Sequence, residues 1–192
     1  MRLSFLPPGL FAFALAALVA APLQAESEPK SKTLIDFSVQ EIERNGADLK
    51  PLKKYGYAYE GWKDKIAYIE GKGLLVPYLP GTGGMGGDKS MNFADYGFAV
   101  LAVVIGKRNE AESFALTLID ADGTEATWYL PLGGRPLGAG IGYRLDLAQP
   151  DKEEKPGKTP GLNKAKVKKW QIKGNWQESK VEILLVKLAA SN

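Results

Sequence analysis

Apolar residues in this chain recur at every second position in short runs, and Gly, Pro and Asn separate the runs. That period belongs to strands with one buried face, whereas a helix needs apolar residues three and four apart. No segment sustains the helical period. The sharpest case is 113–131, SFALTLIDADGTEATWYLP. Phe114, Leu116 and Leu118 alternate with Ala115, Thr117 and Ile119 before the turn, and Ala126, Trp128 and Leu130 alternate with Thr127 and Tyr129 after it. Gly123 closes a loop of Ala121, Asp122 and Gly123, at the position where a three-residue hairpin loop needs a positive φ. The spacing predicts Leu118 opposite Ala126, Leu116 opposite Trp128 and Phe114 opposite Leu130. On the other side it sets Thr117 against Thr127 and Ala115 against Tyr129. A slip of one residue would mix the two faces, so turn and pattern select one register.

The same pattern marks strands over 33–39, 66–70, 73–78, 98–105, 143–147, 167–172 and 181–188. FAVLAVVI (98–105) is apolar on both sides and predicts a central strand, or one overlaid by loops. Tyr55, Tyr57 and Tyr59 would share one side of an extended segment, with Trp62 close behind. These rings either cover the edge or core of a sandwich or form an aromatic platform for a ligand. The glycine-rich run 80–87 (PGTGGMGG) reads as a surface loop or a mobile rim; no GK[ST] follows, so it is not a phosphate loop. DKEEKPGKTPG (151–161) has the composition of an exposed loop. Eight or nine short strands with such turns predict an all-β fold, an antiparallel β-sandwich of jelly-roll kind.

The start of the chain changes the picture of where this sandwich works. Arg2 precedes an apolar run, LFAFALAALVAA (10–21), and small residues end at Ala25. This is the plan of a secretory signal peptide, 1–25, too short for a comfortable membrane span of about 20 residues. An uncleaved anchor is the alternative. The expectation is therefore a secreted or periplasmic protein, off the membrane after cleavage, with 26–192 as a single domain. With no cysteine, neither a disulfide framework nor a lipid-anchored lipoprotein is available. Roughly 167 of the 192 residues remain, enough to bury about 70% of their surface without staples.

Charge and missing residue types narrow the function. Removing the leader takes Arg2 from the 25 basic residues and leaves 24 against 22 acidic ones. Nucleic acid needs a concentrated positive face, so it is not an expected partner. The chain has no His and no Cys. That removes the usual general base, the Ser-His-Asp arrangement, thiol nucleophiles and the commonest zinc ligands. A carboxylate pair could still hydrolyse a glycoside, but no spacing singles one out. The chain is expected not to be an enzyme.

From about Leu34 to Leu188 the chain resembles a galactose-binding-like jelly roll. It is most similar to family-11 carbohydrate-binding modules and to domains of the complex I intermediate-associated protein type. The residues that carry the likeness are LIDF (34–37), FAVLAVVI, Asn109-Glu110-Ala111 leading into LTLIDADGTEATWYL, and KKWQIKGNW with VEILLVKL. The resemblance implies sugar binding on a sheet face or at loop tips, often with a structural calcium ion. Asp36, Asp120 and Asp122 are oxygen donors of the right type for calcium, but the other ligands of an EF-hand loop are missing. Asp120 and Asp122 are read first as turn residues, and no cofactor is expected.

Strand parity places Leu116, Leu118, Trp128, Tyr143, Leu145, Trp170 and Ile172 inward. The opposite sides then show Ala115, Thr117, Thr127, Tyr129, Arg144, Asp146, Lys169 and Gln171. A polysaccharide site built from Tyr129, Arg144, Asp146, Gln171 and Thr127, with Tyr57, Tyr59 and Trp62 as further aromatics, is the expectation. Rings would stack on the C–H faces of sugars, and planar polar groups would bond the hydroxyls. The same pattern also suits an ordinary solvated sheet face. The alternative functions are an extracytoplasmic protein-interaction or assembly module, docking an envelope protein, and a carboxylate-dependent enzyme acting on polysaccharides.

Overall fold

The computed structural model describes residues 30–38, 57–154, 157 and 160–192. The leader (1–25), Tyr55 and most of the irregular stretch 41–59 lie outside them. Among the described residues twelve strands run in order: β1 (Ser31–Asp36), β2 (Tyr57–Glu60), β3 (Ala67–Ile69), β4 (Gly73–Pro80), β5 (Gly83–Met91), β6 (Phe98–Ile105), β7 (Ser113–Asp120), β8 (Glu125–Pro131), β9 (Gly140–Asp146), β10 (Lys152–Glu154), β11 (Val167–Lys173) and β12 (Lys180–Ser191). A short 3-10 turn, Lys164–Lys166, precedes β11. No helix among the described residues is long and apolar enough to cross a membrane.

The strands form two antiparallel six-stranded sheets. The first has the order β3-β4-β12-β6-β9, with β1 as its sixth strand paired to β12 off this path, and the second has β10-β8-β7-β11-β5-β2. β12 organises the first sheet. One of its edges pairs with β6 over Ile183 to Ser191, and the other pairs with β4 up to Leu185 and with β1 from Lys187 onward. The apolar run 98–105 is enclosed between β12 and β9. Its Ala99, Leu101, Val103 and Ile105 are buried and the alternate residues are half-buried.

The 113–131 hairpin has the register that its pattern predicts. Phe114 faces Leu130, Leu116 faces Trp128 and Leu118 faces Ala126, while Thr117 faces Thr127 and Ala115 faces Tyr129. Gly123 takes φ +94°, and the amide of Asp120 donates to the carbonyl of Thr124 at 3.1 Å. All seven side chains assigned inward are buried in one core: five come from the second sheet, and Tyr143 and Leu145 come from the first, with Leu101, Ile183 and Leu185. Each large apolar side chain that is fully buried contributes about 1.5–3 kcal/mol relative to exposure. The tryptophans fit this core because their N–H groups find acceptors. Trp128 Nε1 donates to the carbonyl of Asp146 at 2.9 Å, and Trp62 Nε1 to that of Pro80 at 2.8 Å.

Three expectations change. The glycine-rich run is not a loop: from Gly83 it is strand β5, hydrogen-bonded to β11 on one side and β2 on the other. Met85 points into the core and is fully buried, so its neighbours Gly84 and Gly86 face outward. Trp62, expected as a ligand-facing aromatic, is instead fully buried, because its ring packs under Gly83 where a side chain would collide with it. Residues Lys152–Glu154, inside the expected loop, extend the second sheet as its edge strand β10.

Candidate functional site

The outer face of the second sheet gathers most of the polar and aromatic positions. Cross-strand neighbours share a face, so registers define its rows. One row reads Tyr57, Gly86, Gln171, Thr117, Thr127 and Lys152 across β2, β5, β11, β7, β8 and β10. The next reads Tyr59, Gly84, Lys173, Ala115 and Tyr129. A third reads Asp88, Lys169, Ile119, Glu125 and Glu154. Between their ends the first two rows carry Gly, Ala and Thr, with Gln171 and Lys173 standing among them on β11; Tyr57 and Tyr59 lie at the β2 end, and Tyr129 lies in the second row on β8. The small residues are buried between larger neighbours, so the face is a shallow trough interrupted by the β11 side chains, with tyrosines about 19 Å apart from β2 to β8 at the usual strand spacing.

The small residues are required for close approach. A Cβ on Gly84 would fall on the Tyr59 hydroxyl and ring, and a Cβ on Gly86 would fall on the Trp170 carbonyl and the Gln171 side chain. Tyr59 therefore lies across β5. Its hydroxyl pKa is pushed up to about 12, first by burial and then by Tyr57, Glu60 and Glu125, so it stays a neutral donor at physiological pH. Gln171 Nε2 donates to the Tyr57 hydroxyl at 2.6 Å, over Gly86. The Tyr57 and Tyr59 rings are 6.1 Å apart and tilted by 33°. At the far rim the Tyr129 ring is 55% exposed, and its backbone amide donates to Asp151 Oδ2 at 2.7 Å.

Charges on the face are largely paired. Lys169 meets Asp88 at 3.4 Å, and Lys152 meets Glu154 at 2.5 Å, the carboxylate raising the lysine pKa by its hydrogen bond and charge. The hydroxyls of Thr117 and Thr127, both buried, bond each other at 2.8 Å. Tyrosine faces beside amide, ammonium and carboxylate groups can hold a polyhydroxylated ring, with C–H stacking on one side and hydrogen bonds at the edge.

Of the expected site residues, Tyr57, Tyr59, Thr127, Tyr129 and Gln171 share this face. Arg144 and Asp146 do not. β9 pairs with β6 in the opposite sheet, so the expected convergence of Tyr129, Arg144, Asp146 and Gln171 does not occur. Arg144 instead stacks its guanidinium 3.7 Å above the Phe98 ring, and Asp146 Oδ1 accepts the amide of Ala148 at 2.8 Å. The parity of Arg144 and Asp146 was legible, but parity does not reveal which sheet a strand joins. Trp62 is lost to the core. The face adds Gly84, Gly86, Lys173 and Asp88, the last paired with Lys169, whose outward parity the sequence showed; for the glycines the only signal was their place beside Met85.

The calcium reading finds no support in donor chemistry. Asp120 Oδ1 accepts the amides of Asp122 and Thr124 at 2.8 and 3.0 Å, and its Oδ2 accepts that of Asn163 at 2.8 Å. Asp36 Oδ1 accepts the amide and hydroxyl of Ser38. Among the described residues, no group of three or more Asp, Glu, His or Cys could hold a metal ion.

No protein-family model matches the chain, and no curated protein does. Solved structures do. The chain is similar to the family 11 carbohydrate-binding module of a cellulosomal cellulase of Clostridium thermocellum, with 14% identity over 85% of this chain and 95% of that one, at a TM-score of 0.51. It is similar to a family 11 module from Clostridium thermocellum in complex with a β-1,3-1,4-mixed-linked tetrasaccharide, with 14% identity over 83% and 94% of the two chains and a TM-score of 0.53. An agarase matches at 9% identity and a TM-score of 0.50, over 83% of this chain and 26% of that one. At these identities the likeness is one of fold: the two sheets form the jelly-roll sandwich of family 11 carbohydrate-binding modules.

Proposed function

We propose that this is a secreted, non-catalytic carbohydrate-binding protein that takes an extended polysaccharide along the outer face of the second sheet. The observation that carries the reading is the set of tyrosines across this face, Tyr57 and Tyr59 at one end and the exposed Tyr129 at the other, with Gln171 and Lys173 rising between them from a buried floor of Gly84, Gly86, Ala115, Thr117 and Thr127. The fold shared with a module solved in complex with a β-1,3-1,4-mixed-linked tetrasaccharide adds to it. Tyr57, Tyr59 and Tyr129 would stack on sugar rings, while Gln171 and Lys173 would bond hydroxyls from the floor. The basic start and apolar run of residues 1–25 support export to the periplasm or beyond.

Retention of the exported protein on immobilised polysaccharides tests this, with mixed-linked β-1,3-1,4-glucan first among them. Binding should fall when Tyr57 or Tyr129 becomes Ala. A folded protein that passes unretarded through every polysaccharide would sink the proposal.

A second reading, a protein-docking module, is favoured by the other side of the sandwich. There Leu75, Val104 and Leu184 line an open apolar recess of about 530 Å³ beside Lys107 and Arg108. Capture of an envelope protein that survives Tyr57→Ala and Tyr129→Ala but not Val104→Asp would favour it.

A further inference from the structure

The outer face of the first sheet carries an apolar lane that glycan binding on the second sheet does not use. Along β6 the outward residues Val104, Ala102, Val100 and Phe98 are all apolar and half-buried, while the residues between them fill the core. An antiparallel face that meets only water ordinarily turns polar at those positions. On β9, Gly140 and Gly142 stand opposite Val104 and Ala102. A Cβ on Gly140 would meet nothing within 4 Å, and one on Gly142 only a methyl of Val100 at 3.8 Å. Crowding does not demand these glycines. They weaken the strand and leave a gap the size of two side chains beside β6.

The two ends of the lane differ. At Val104 it opens into the recess of about 530 Å³, where Leu184 and Leu75 continue the same row on β12 and β4. At Phe98 it is closed by the guanidinium of Arg144, 3.7 Å above the ring. The distance from Val104 to Phe98 is roughly 20 Å at the usual strand rise. β6 is paired with β12 on one side and β9 on the other over this length. Its backbone therefore has nothing left to offer a polar ligand. An alkyl chain needs no partner there, whereas a peptide backbone laid in the lane would lose hydrogen bonds to water.

The charges decide which end holds a polar group. Arg108 is paired with Glu182 at 2.8 Å, and Lys187, opposite Ala102, faces Asp36 across the β1 register. Lys107 has no ion pair or hydrogen bond among the described residues. Its stem lies against Gly138, where a Cβ would sit 3.7 Å from Lys107 Cε. One unpaired ammonium thus stands at the mouth of an apolar lane. We infer that this face binds a single-chain anionic amphiphile of the fatty-acid type, its carboxylate on Lys107 and its chain in the recess and along β6 beside Gly140 and Gly142. A bilayer suits the lane less, because its half-buried residues lie too low to insert. The site is independent of the glycan face. It shares the recess with the protein-docking reading and gives it a different occupant.

Titration of the whole protein with sodium dodecanoate below its micelle concentration, followed by methyl NMR, tests this. Single-site saturation should shift the methyls of Val100, Val104 and Leu184. Dodecyltrimethylammonium, with the same chain and the opposite charge, should leave them unmoved. Lys107→Ala should weaken dodecanoate binding about tenfold, the scale of one charge-assisted contact. Gly142→Val has room for its Cβ, so it should fold, and its side chain should fill the lane and weaken binding by at least about tenfold. Glycan retention should be that of wild type in both variants. Equal binding of the two amphiphiles, or dodecanoate affinity unchanged in both variants, would overturn the inference. Association with anionic phospholipid vesicles in the absence of dodecanoate binding would do the same. Capture of an envelope protein that depends on Val104, with no dodecanoate binding, would overturn this inference and leave protein docking standing.

Discussion

Gln171 on β11 reaches over β5 to donate a 2.6 Å hydrogen bond to the hydroxyl of Tyr57 on β2. The bond passes above Gly86, where a side chain would collide with Gln171. One glycine thus lets an interior strand and an edge strand fix the orientation of an exposed ring. Replacing Gln171 with Ala should therefore release the Tyr57 ring while removing little buried contact. Glycan affinity should fall several-fold, with stability changed by less than about 1 kcal/mol. Titration calorimetry beside urea unfolding checks both halves.

The division between faces yields a paired prediction. Tyr129→Ala removes an exposed ring from the trough rim, whereas Arg144→Ala removes a guanidinium stacked on Phe98 on the opposite sheet. Polysaccharide retention should drop about tenfold or more for Tyr129→Ala, as for an aromatic anchor. It should be unaffected by Arg144→Ala. Loss of retention in the Arg144 variant would move the site to the first sheet.

Much of this arrangement was legible locally and little of it globally. The 113–131 hairpin announced its register because a two-residue period and a three-residue turn agree on only one pairing. Nothing comparable tells β9 which sheet to join, so Arg144 and Asp146 could be assigned outward yet not to the correct face. Gly83–Gly87 failed for another reason. Glycine-rich segments are depleted in strands because they contribute no side-chain packing of their own. β5 is a strand because the rings of Tyr59 and Trp62 and the Gln171 side chain occupy the space that its missing side chains leave. That compensation is tertiary, and only Met85 between two glycine pairs hinted at it.

Leu116 and Thr117 are adjacent and both fully buried, one in the core and one in the trough floor. Leu116→Ala should cost about 2–5 kcal/mol, since it opens a cavity between the sheets. Thr117→Ala removes the hydroxyl that bonds Thr127 at 2.8 Å and leaves its partner unpaired, costing about 1–2 kcal/mol. The gap is narrower than strand alternation alone implies, because the floor of the trough is itself enclosed. Chemical denaturation of the two variants and of Thr117→Val distinguishes lost volume from a lost hydrogen bond.

Asp120 ties its hairpin turn to the segment before β11, through two amides of the turn and that of Asn163. Charge-assisted bonds of this kind contribute about 1.5–3 kcal/mol to stability. Asp120→Ala should lower unfolding stability by about that much. Added calcium should change the stability of neither form, because the carboxylate serves backbone amides. A calcium-dependent rise in the melting temperature of the wild type, absent from the variant, would reassign Asp120 to a metal.

The pH dependence of stability should carry the signature of Glu182. Burial raises its pKa, but hydrogen bonds from the Arg108 side chain and amide, with the guanidinium charge, outweigh it and leave the carboxyl below its ordinary range. Its Oε1 accepts Arg108 nitrogens at 2.8 and 3.2 Å, and its Oε2 accepts the Arg108 amide at 2.7 Å. A carboxyl depressed in the folded state stabilises above its unfolded pKa, about 4.3, and this contribution is lost as pH falls through the lower folded value. Arg108 is 63% exposed, so solvent screens the pair and the contribution is about 1 kcal/mol. Glu182→Gln should therefore be less stable than wild type by about that amount at pH 7. The two proteins should converge as the pH drops below about 4. Urea unfolding of both at pH 7 and pH 3 measures the gap; a difference that persists unchanged at pH 3 would mean that the carboxylate charge is not the source of the gap.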